Sequence, residues 1–352
     1  MMMTKFLRRL CGVFGPSGCE DAVAAEIRRE GEAFGFFAKT DRTGNVIFEI
    51  EPKTAMAETK TVMISTHTDE VGFMVNEIDE EGYLHFSLLG DIDPRVLCGR
   101  NVEIGNEEKR VMGVIASKAI HHQTAEERSK ITEVENMYID IGAENGEDAK
   151  KTVSVGDYGT FFMPLPHRFG QDNRYVFGKA MDNRAACAVA LDVMRQISEG
   201  AITSPHKLCF CFTVRGVAGP CGAGLAAATL CPDVAIVMDA AEADIAEKEA
   251  VDLAALDKGC VLTFADDKTV YDVSLVRLAQ AVAEKAGVLH QVKGKMGGGR
   301  DAAEIQKRYA GVPTVSLRVP TRYCRTASSV VSETDCKSAA ALLGALLASP
   351  LK

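Results

Sequence analysis

Apolar positions change their spacing along this chain, and the changes divide it into regions. The runs at 61–64, 207–214, 234–238 and 314–317 are largely apolar throughout. Such runs predict strands buried on both faces of a mostly parallel sheet. Between them the period lengthens. Cys187, Ala190, Leu191, Met194 and Ile197 form a helical stripe over 183–197 that stops before Gly200. Further helices are predicted at 271–286, closed by Gly287, at 302–309, closed by Gly311, and at 339–348, stopped by Pro350. Near the start, Ser17 and Glu20 have capping-box spacing and precede a helical pattern carrying Val23, Ala24 and Ile27; Val46, Ile47 and Phe48 then form a short β-type run.

From 71 to 162 the texture differs. Short alternating runs, at 83–86, 102–104, 110–115 and 138–141, sit between Gly, Asn and Asp turns, and a highly charged stretch covers 126–151. This spacing predicts a small β domain. Residues 1–70 and 163–352 then make up one α/β domain, and 71–162 is inserted into it. No internal repeat is visible.

Composition narrows the function. At 352 residues the chain is long for one compact core. Its 40 Lys and Arg against 49 Asp and Glu give a net charge of −9, which disfavours nucleic acid as a partner. No apolar run approaches the ~18 residues of a membrane span, and the first ten residues are too short and too polar for a signal peptide. The 11 Cys include no CxxC pair and read as reduced thiols, as expected of a cytoplasmic protein. His121 and His122 read as loop residues rather than a metal pair.

The candidate chemistry lies at strand ends. His67, Gly216 and Asp239 fall at or just past the ends of predicted strands, and Asp182 falls at the start of a helix. In open α/β sheets ligands gather beyond the carboxyl ends of the strands, so these scattered positions converge on one rim. A lone His or Asp there is more often a loop residue or a cap; the case rests on the motifs taken together. Ser65-Thr66-His67-Thr68-Asp69-Glu70-Val71-Gly72, Gly178-Lys179-Ala180-Met181-Asp182-Asn183-Arg184, Val237-Met238-Asp239 and Pro320-Thr321-Arg322-Tyr323 occur in order. With them stand Gly15-Pro16-Ser17-Gly18, Asp140-Ile141-Gly142-Ala143 and Gly311-Val312-Pro313-Thr314. Over essentially its whole length the chain resembles the glutamyl aminopeptidase/cellulase M family of dinuclear zinc aminopeptidases, which includes the tetrahedral aminopeptidases.

That resemblance implies an α/β peptidase domain interrupted by a β-barrel-like domain used in assembly, and hence a homo-oligomer, as large as a dodecamer. It implies one zinc on His67, Asp182 and Asp239, with Asp69 orienting the imidazole. Three protein ligands leave a position for water. The second zinc of the family takes the bridging Asp, a Glu and a His. The latter two positions correspond to Val217, which has no donor, and Arg325, a cation that cannot ligate a metal. The family's general base, a Glu, corresponds to Gly216. The expectation is therefore one divalent metal per chain, zinc or cobalt, or none, and a hydrolase family member impaired or inactive in two-metal peptide hydrolysis. Restoring Glu at 216 and 217 and His at 325 together is expected to bring back a second metal.

Arg215, Arg300 and Arg325 stand where the family usually has neutral residues or the ligand His. They suggest an anion-binding cleft, with Arg325 paired to Asp182. Asp301 follows the Gly297-Gly298-Gly299 loop as it does in the family. Three other readings stand beside the main one. The protein could be a single-metal hydrolase using Glu70, Glu242 or Asp244 as base, a binding module for an acidic peptide or small anion, or a structural or regulatory subunit that co-assembles with an active paralogue.

Overall fold

The computed structural model describes residues 2–53, 59–106, 108–219, 221–243 and 253–351. The apolar runs form the centre of an 11-stranded mixed sheet. Lys207–Thr213, Thr61–His67, Val234–Glu242 and Thr314–Arg322 lie side by side and parallel. Val46–Ile50 joins one edge antiparallel, with Ala38–Thr40 beyond it. Ser329–Ser332, Tyr175–Gly178 and His167–Phe169 continue the other edge, again antiparallel. Cys260–Ala265 pairs antiparallel with Thr314–Arg322 and parallel with His290–Lys295.

Helices cover the sheet because their buried stripes match its apolar strands. The predicted stripe falls in Met181–Ser198, where Cys187, Ala190, Leu191 and Met194 are fully buried. Val273–Ala286 starts on the Asp272 cap, whose side chain accepts from Leu275 N, and ends at Gly287 in the left-handed region. Arg300–Gln306 starts two residues before the predicted 302 and ends sooner. The last helix, Glu333–Leu347, begins six residues before the apolar stripe because Ser332 caps it.

Three local expectations fail. Ser17 and Glu20 make no capping box: Ser17 Oγ accepts from Ala218 N, and Glu20 Oε1 accepts from Gly18 N and Arg215 N. Asp239 does not follow its strand but lies inside it, opposite Arg318, because pairing with Thr314–Arg322 continues to Glu242. The helix Cys221–Leu230 was not expected, since its Gly and Ala residues carry little apolar period.

The region from Gly72 to Phe161 is a closed barrel, in the order Gly72–Ile78, Leu84–Leu89, Met137–Asp140, Arg110–Ser117, Asn101–Gly105, Tyr158–Phe161. It has its own core, around Phe73, Val75, Phe86, Val102, Ile104, Ile115 and Ile139. His121 and His122 lie in a short exposed turn outside the strands. The buried thiols of Cys11, Cys187, Cys209, Cys211, Cys260 and Cys336 pack as small apolar groups. No described helix is long and apolar enough to cross a membrane.

Asp335, in the first turn of the last helix, is fully buried and accepts from Asp257 N and Gly259 N. Burial raises its carboxyl to about 7 against those hydrogen bonds. The unfolded carboxyl loses its proton near pH 3.8, and the folded one near 7. In that window the folded state holds the extra proton, so this group makes stability fall as pH rises from 4 to 7. Urea unfolding should show Asp335→Asn flattening the pH dependence in that interval. An unchanged slope would remove Asp335 as its source.

Candidate metal site and cleft

The site stands over the carboxyl ends of the parallel strands. His67 closes Thr61–His67, Asp239 lies near the end of its strand, and Asp182 leads the helix behind them. His67 Nε2 is 3.8 Å from Asp182 Oδ1 and 3.9 Å from Asp239 Oδ1. The three donor atoms lie within 4.8 Å of one another. Two ligands of a tetrahedral zinc stand about 3.3 Å apart, so a slight contraction would let these donors share one ion. The donor types fit: an imidazole and two carboxylates suit zinc or a similar divalent cation.

The ring is held from behind. His67 Nδ1 lies 3.2 Å from Asp69 Oδ1, which leaves Nε2 facing the carboxylates. Burial opposes the imidazolium, but the Asp69 hydrogen bond and charge, with Asp301 and Asp182 nearby, raise His67 to about 10 in the metal-free chain. Burial likewise resists ionisation of Asp69. The hydrogen bond and charge of His67, with the N–H groups of Val217 and Gly216, hold it below the usual carboxylate range. Burial pushes Asp182 up against the pull of His67, and pushes Asp301 up to about 6.

A cleft of about 240 Å³ opens onto these groups, lined also by Gly216, Val217, Arg300 and Arg325. Gly297, Gly298 and Gly299 form one wall. Arg318 anchors that wall through Gly297 O at 2.6 Å and Asp266 at 2.7 Å. Gly299, at φ +82°, has no room for a Cβ, which would meet Asp266 Oδ2 at 1.8 Å.

Opposite the trio no second donor set is assembled among the described residues. Val217 packs with the barrel core, and its γ-methyl would lie 2.3 Å from any Cβ placed on Gly90. Arg325 is paired with Asp91 at 3.3 Å, not with Asp182. Arg300 reaches the same Asp91 carboxylate at 2.5 Å and donates to Val217 O at 2.8 Å. Asp91 comes from the barrel, carries no motif, and was missed by sequence. Arg215 is exposed and does not line the cleft. The anion reading therefore loses one of its three arginines, and the other two share a carboxylate. Among the described residues six carboxyl groups line the cleft, those of Asp91, Asp182, Asp239, Glu242, Asp267 and Asp301, against two guanidinium groups. That balance favours cations.

Of the alternative bases, Glu70 is buried between Lys179 at 2.5 Å and Arg184 at 3.0 Å, so it has no path to the cleft. Glu242 is exposed and lines the cleft. Asp244 lies outside the described residues.

The profile of the M42 glutamyl aminopeptidase family matches residues 44–342. The chain belongs to that family. The TET aminopeptidase of a marine-sediment Thaumarchaeota archaeon is 32% identical, with a TM-score of 0.93 over 98% of this chain and 96% of its own. The TET1 peptidase of Pyrococcus horikoshii, which assembles into a tetrahedron or a large octahedral shell, is 28% identical, with a TM-score of 0.86 over 99% and 100% of the two chains. The lysyl aminopeptidase of Pyrococcus furiosus is 26% identical over 88% of this chain and 86% of its own. These likenesses support the fold expected from the sequence, an α/β peptidase unit with an inserted barrel.

Proposed function

We propose that this M42 protein holds one divalent ion on His67, Asp182 and Asp239 and has lost two-metal peptide hydrolysis. One observation carries the reading: the trio converges, while the facing positions present Gly216, a Val217 packed into the barrel, and an Arg325 turned to Asp91. When bound, a metal there would polarise a carbonyl or a water. The chain's own residues would supply its seat, with Asp69 setting the ring and Asp182 and Asp239 supplying carboxylates. No carboxylate stands at position 216 to take a proton from that water. Elemental analysis after dialysis should find at most one equivalent of zinc or cobalt, and none in Asp182→Ala. Two equivalents would defeat the reading.

A single-metal hydrolase is the second reading, and Glu242 is its base, because it alone of the three suggested carboxylates lines the cleft among the described residues. An acidic-peptide or anion module is disfavoured by the carboxylate-rich lining. Assembly, either with itself or with an active paralogue, draws support from the barrel. Met112 and Val114 point outward from one barrel strand, and Ile120 and Ile131 are also exposed. Together with solved relatives that form a dodecamer, a tetrahedron or an octahedral shell, they support a homo-oligomer built through the barrel, as large as a dodecamer. Light scattering should find at least a dimer at micromolar concentration; a stable monomer would refute assembly through the barrel.

A further inference from the structure

The turn that would carry the family's base is fastened unusually tightly. Five successive backbone N–H groups each donate to a side chain from elsewhere in the chain. Val214 N reaches Asn45 Oδ1 at 3.0 Å, Arg215 N reaches Glu20 Oε1 at 2.8 Å, and Ala218 N reaches Ser17 Oγ at 3.3 Å. Between them Gly216 N and Val217 N donate to Asp69 Oδ1 and Oδ2, both at 2.8 Å. Asp69 is fully buried, and its Oδ1 also faces the His67 ring. One carboxylate thus fixes both the turn and the imidazole.

The apex of the turn lies against that imidazole. A Cβ built on Gly216 would fall 2.5 Å from His67 Cβ, 2.5 Å from Cγ and 3.0 Å from Cδ2. The obstacle is the root of the ring, not the far end of a flexible side chain. It could be relieved only by rotating His67 or by shifting a turn held at five consecutive positions.

We infer that the 214–218 turn has become a positioning element for His67, with Gly216 as its obligatory apex. The ring is gripped between the Asp69 carboxylate and the bare Cα of Gly216, and this keeps Nε2 aimed at Asp182 and Asp239. The inference rests on His67 being a metal ligand. It reverses the expectation that restoring the family residues would rebuild the site: Glu at 216 would displace the one imidazole ligand before it could act as a base.

Gly216→Ala tests this with a single added carbon. Groups that orient a ligating histidine typically change metal affinity by about 10- to 100-fold when disturbed. Chelator competition should show Gly216→Ala binding cobalt or zinc at least about tenfold more weakly, with an altered visible Co(II) spectrum. The triple variant Gly216→Glu, Val217→Glu, Arg325→His should bind less metal, not more. Ring NMR of histidine-labelled, metal-free protein, with the His67 signal assigned from His67→Gln, gives a readout independent of the metal. Gly216→Ala should move the His67 resonances. If the unmodified protein binds no metal, the proposed function fails while this readout still decides the positioning role. Should Gly216→Ala not fold, Glu20→Ala releases the Arg215 N–H without adding an atom beside the ring, and it should broaden or shift the His67 signal. A folded Gly216→Ala with unmoved His67 resonances and unchanged metal affinity, or an unmoved signal in Glu20→Ala, would overturn the inference.

Discussion

Purified protein is expected to show no aminopeptidase turnover above background on a broad panel of aminoacyl substrates, with zinc, cobalt or manganese supplied. Gly216 puts no carboxylate where the family's general base corresponds. General acid–base catalysis typically supplies about 10²–10⁴-fold. Val217 and Arg325 offer no donors for a second ion, and Arg325 is turned to Asp91. A two-metal clamp stabilises both the attacking and the leaving oxygen, and its loss would cost several kcal/mol more, by order of magnitude. The two losses should not add simply, because such groups act as a unit. Metal-dependent turnover abolished by both Asp182→Ala and Glu242→Gln would establish the single-metal hydrolase. Turnover abolished by Asp182→Ala but untouched by Glu242→Gln would mean that another group carries the proton.

The second large effect is on stability. Arg184 has no exposed surface and binds five acceptors. Nε donates to Thr68 O, Nη1 to Leu10 O and Val13 O, and Nη2 to Gly15 O and Glu70. This one guanidinium ties the N-terminal helix and the loop after it to the segment that carries His67. Removing one partner of a buried ion pair typically costs about 3–5 kcal/mol, because the other charge stays buried. Here Lys179 still reaches Glu70 and Val13 O, which moderates the loss, but Thr68 O, Leu10 O and Gly15 O lose their bonds to the guanidinium. Arg184→Ala should lower the unfolding free energy by about 3–5 kcal/mol in urea titration. Arg184→Lys should recover only part of it, since an ammonium cannot span the same fork. A loss below about 1 kcal/mol for the alanine variant would show that the cluster contributes little to stability.

Sequence made the sheet legible where burial on both faces forces continuous apolar runs, as at 61–64 and 207–214. It made the barrel legible where one face is wet and residues alternate. It failed where a residue's role is set by a distant partner. Ser17 and Glu20 have capping spacing, but their side chains serve the 214–218 turn, and nothing local announces that. The Gly- and Ala-rich helix Cys221–Leu230 packs by smallness and leaves no stripe to detect. Standing where the family has its ligand His, Arg325 is expected to pair with Asp182 and fill the charge role of the absent second zinc. Asp91, from a barrel loop without a motif, lies closer in space and also holds Arg300. The trio itself was readable because its motifs resemble those of the family, although the distances that join His67, Asp182 and Asp239 come only from the fold. Gly216 could be read as a missing base. Its contact with the His67 ring could not.

Zinc-edge anomalous diffraction from crystals soaked in zinc bears most directly on the one-metal site. A single peak per chain should stand among His67, Asp182 and Asp239, with no second peak between Asp182 and the Val217–Arg325 side of the cleft. A second peak there at comparable height would contradict it.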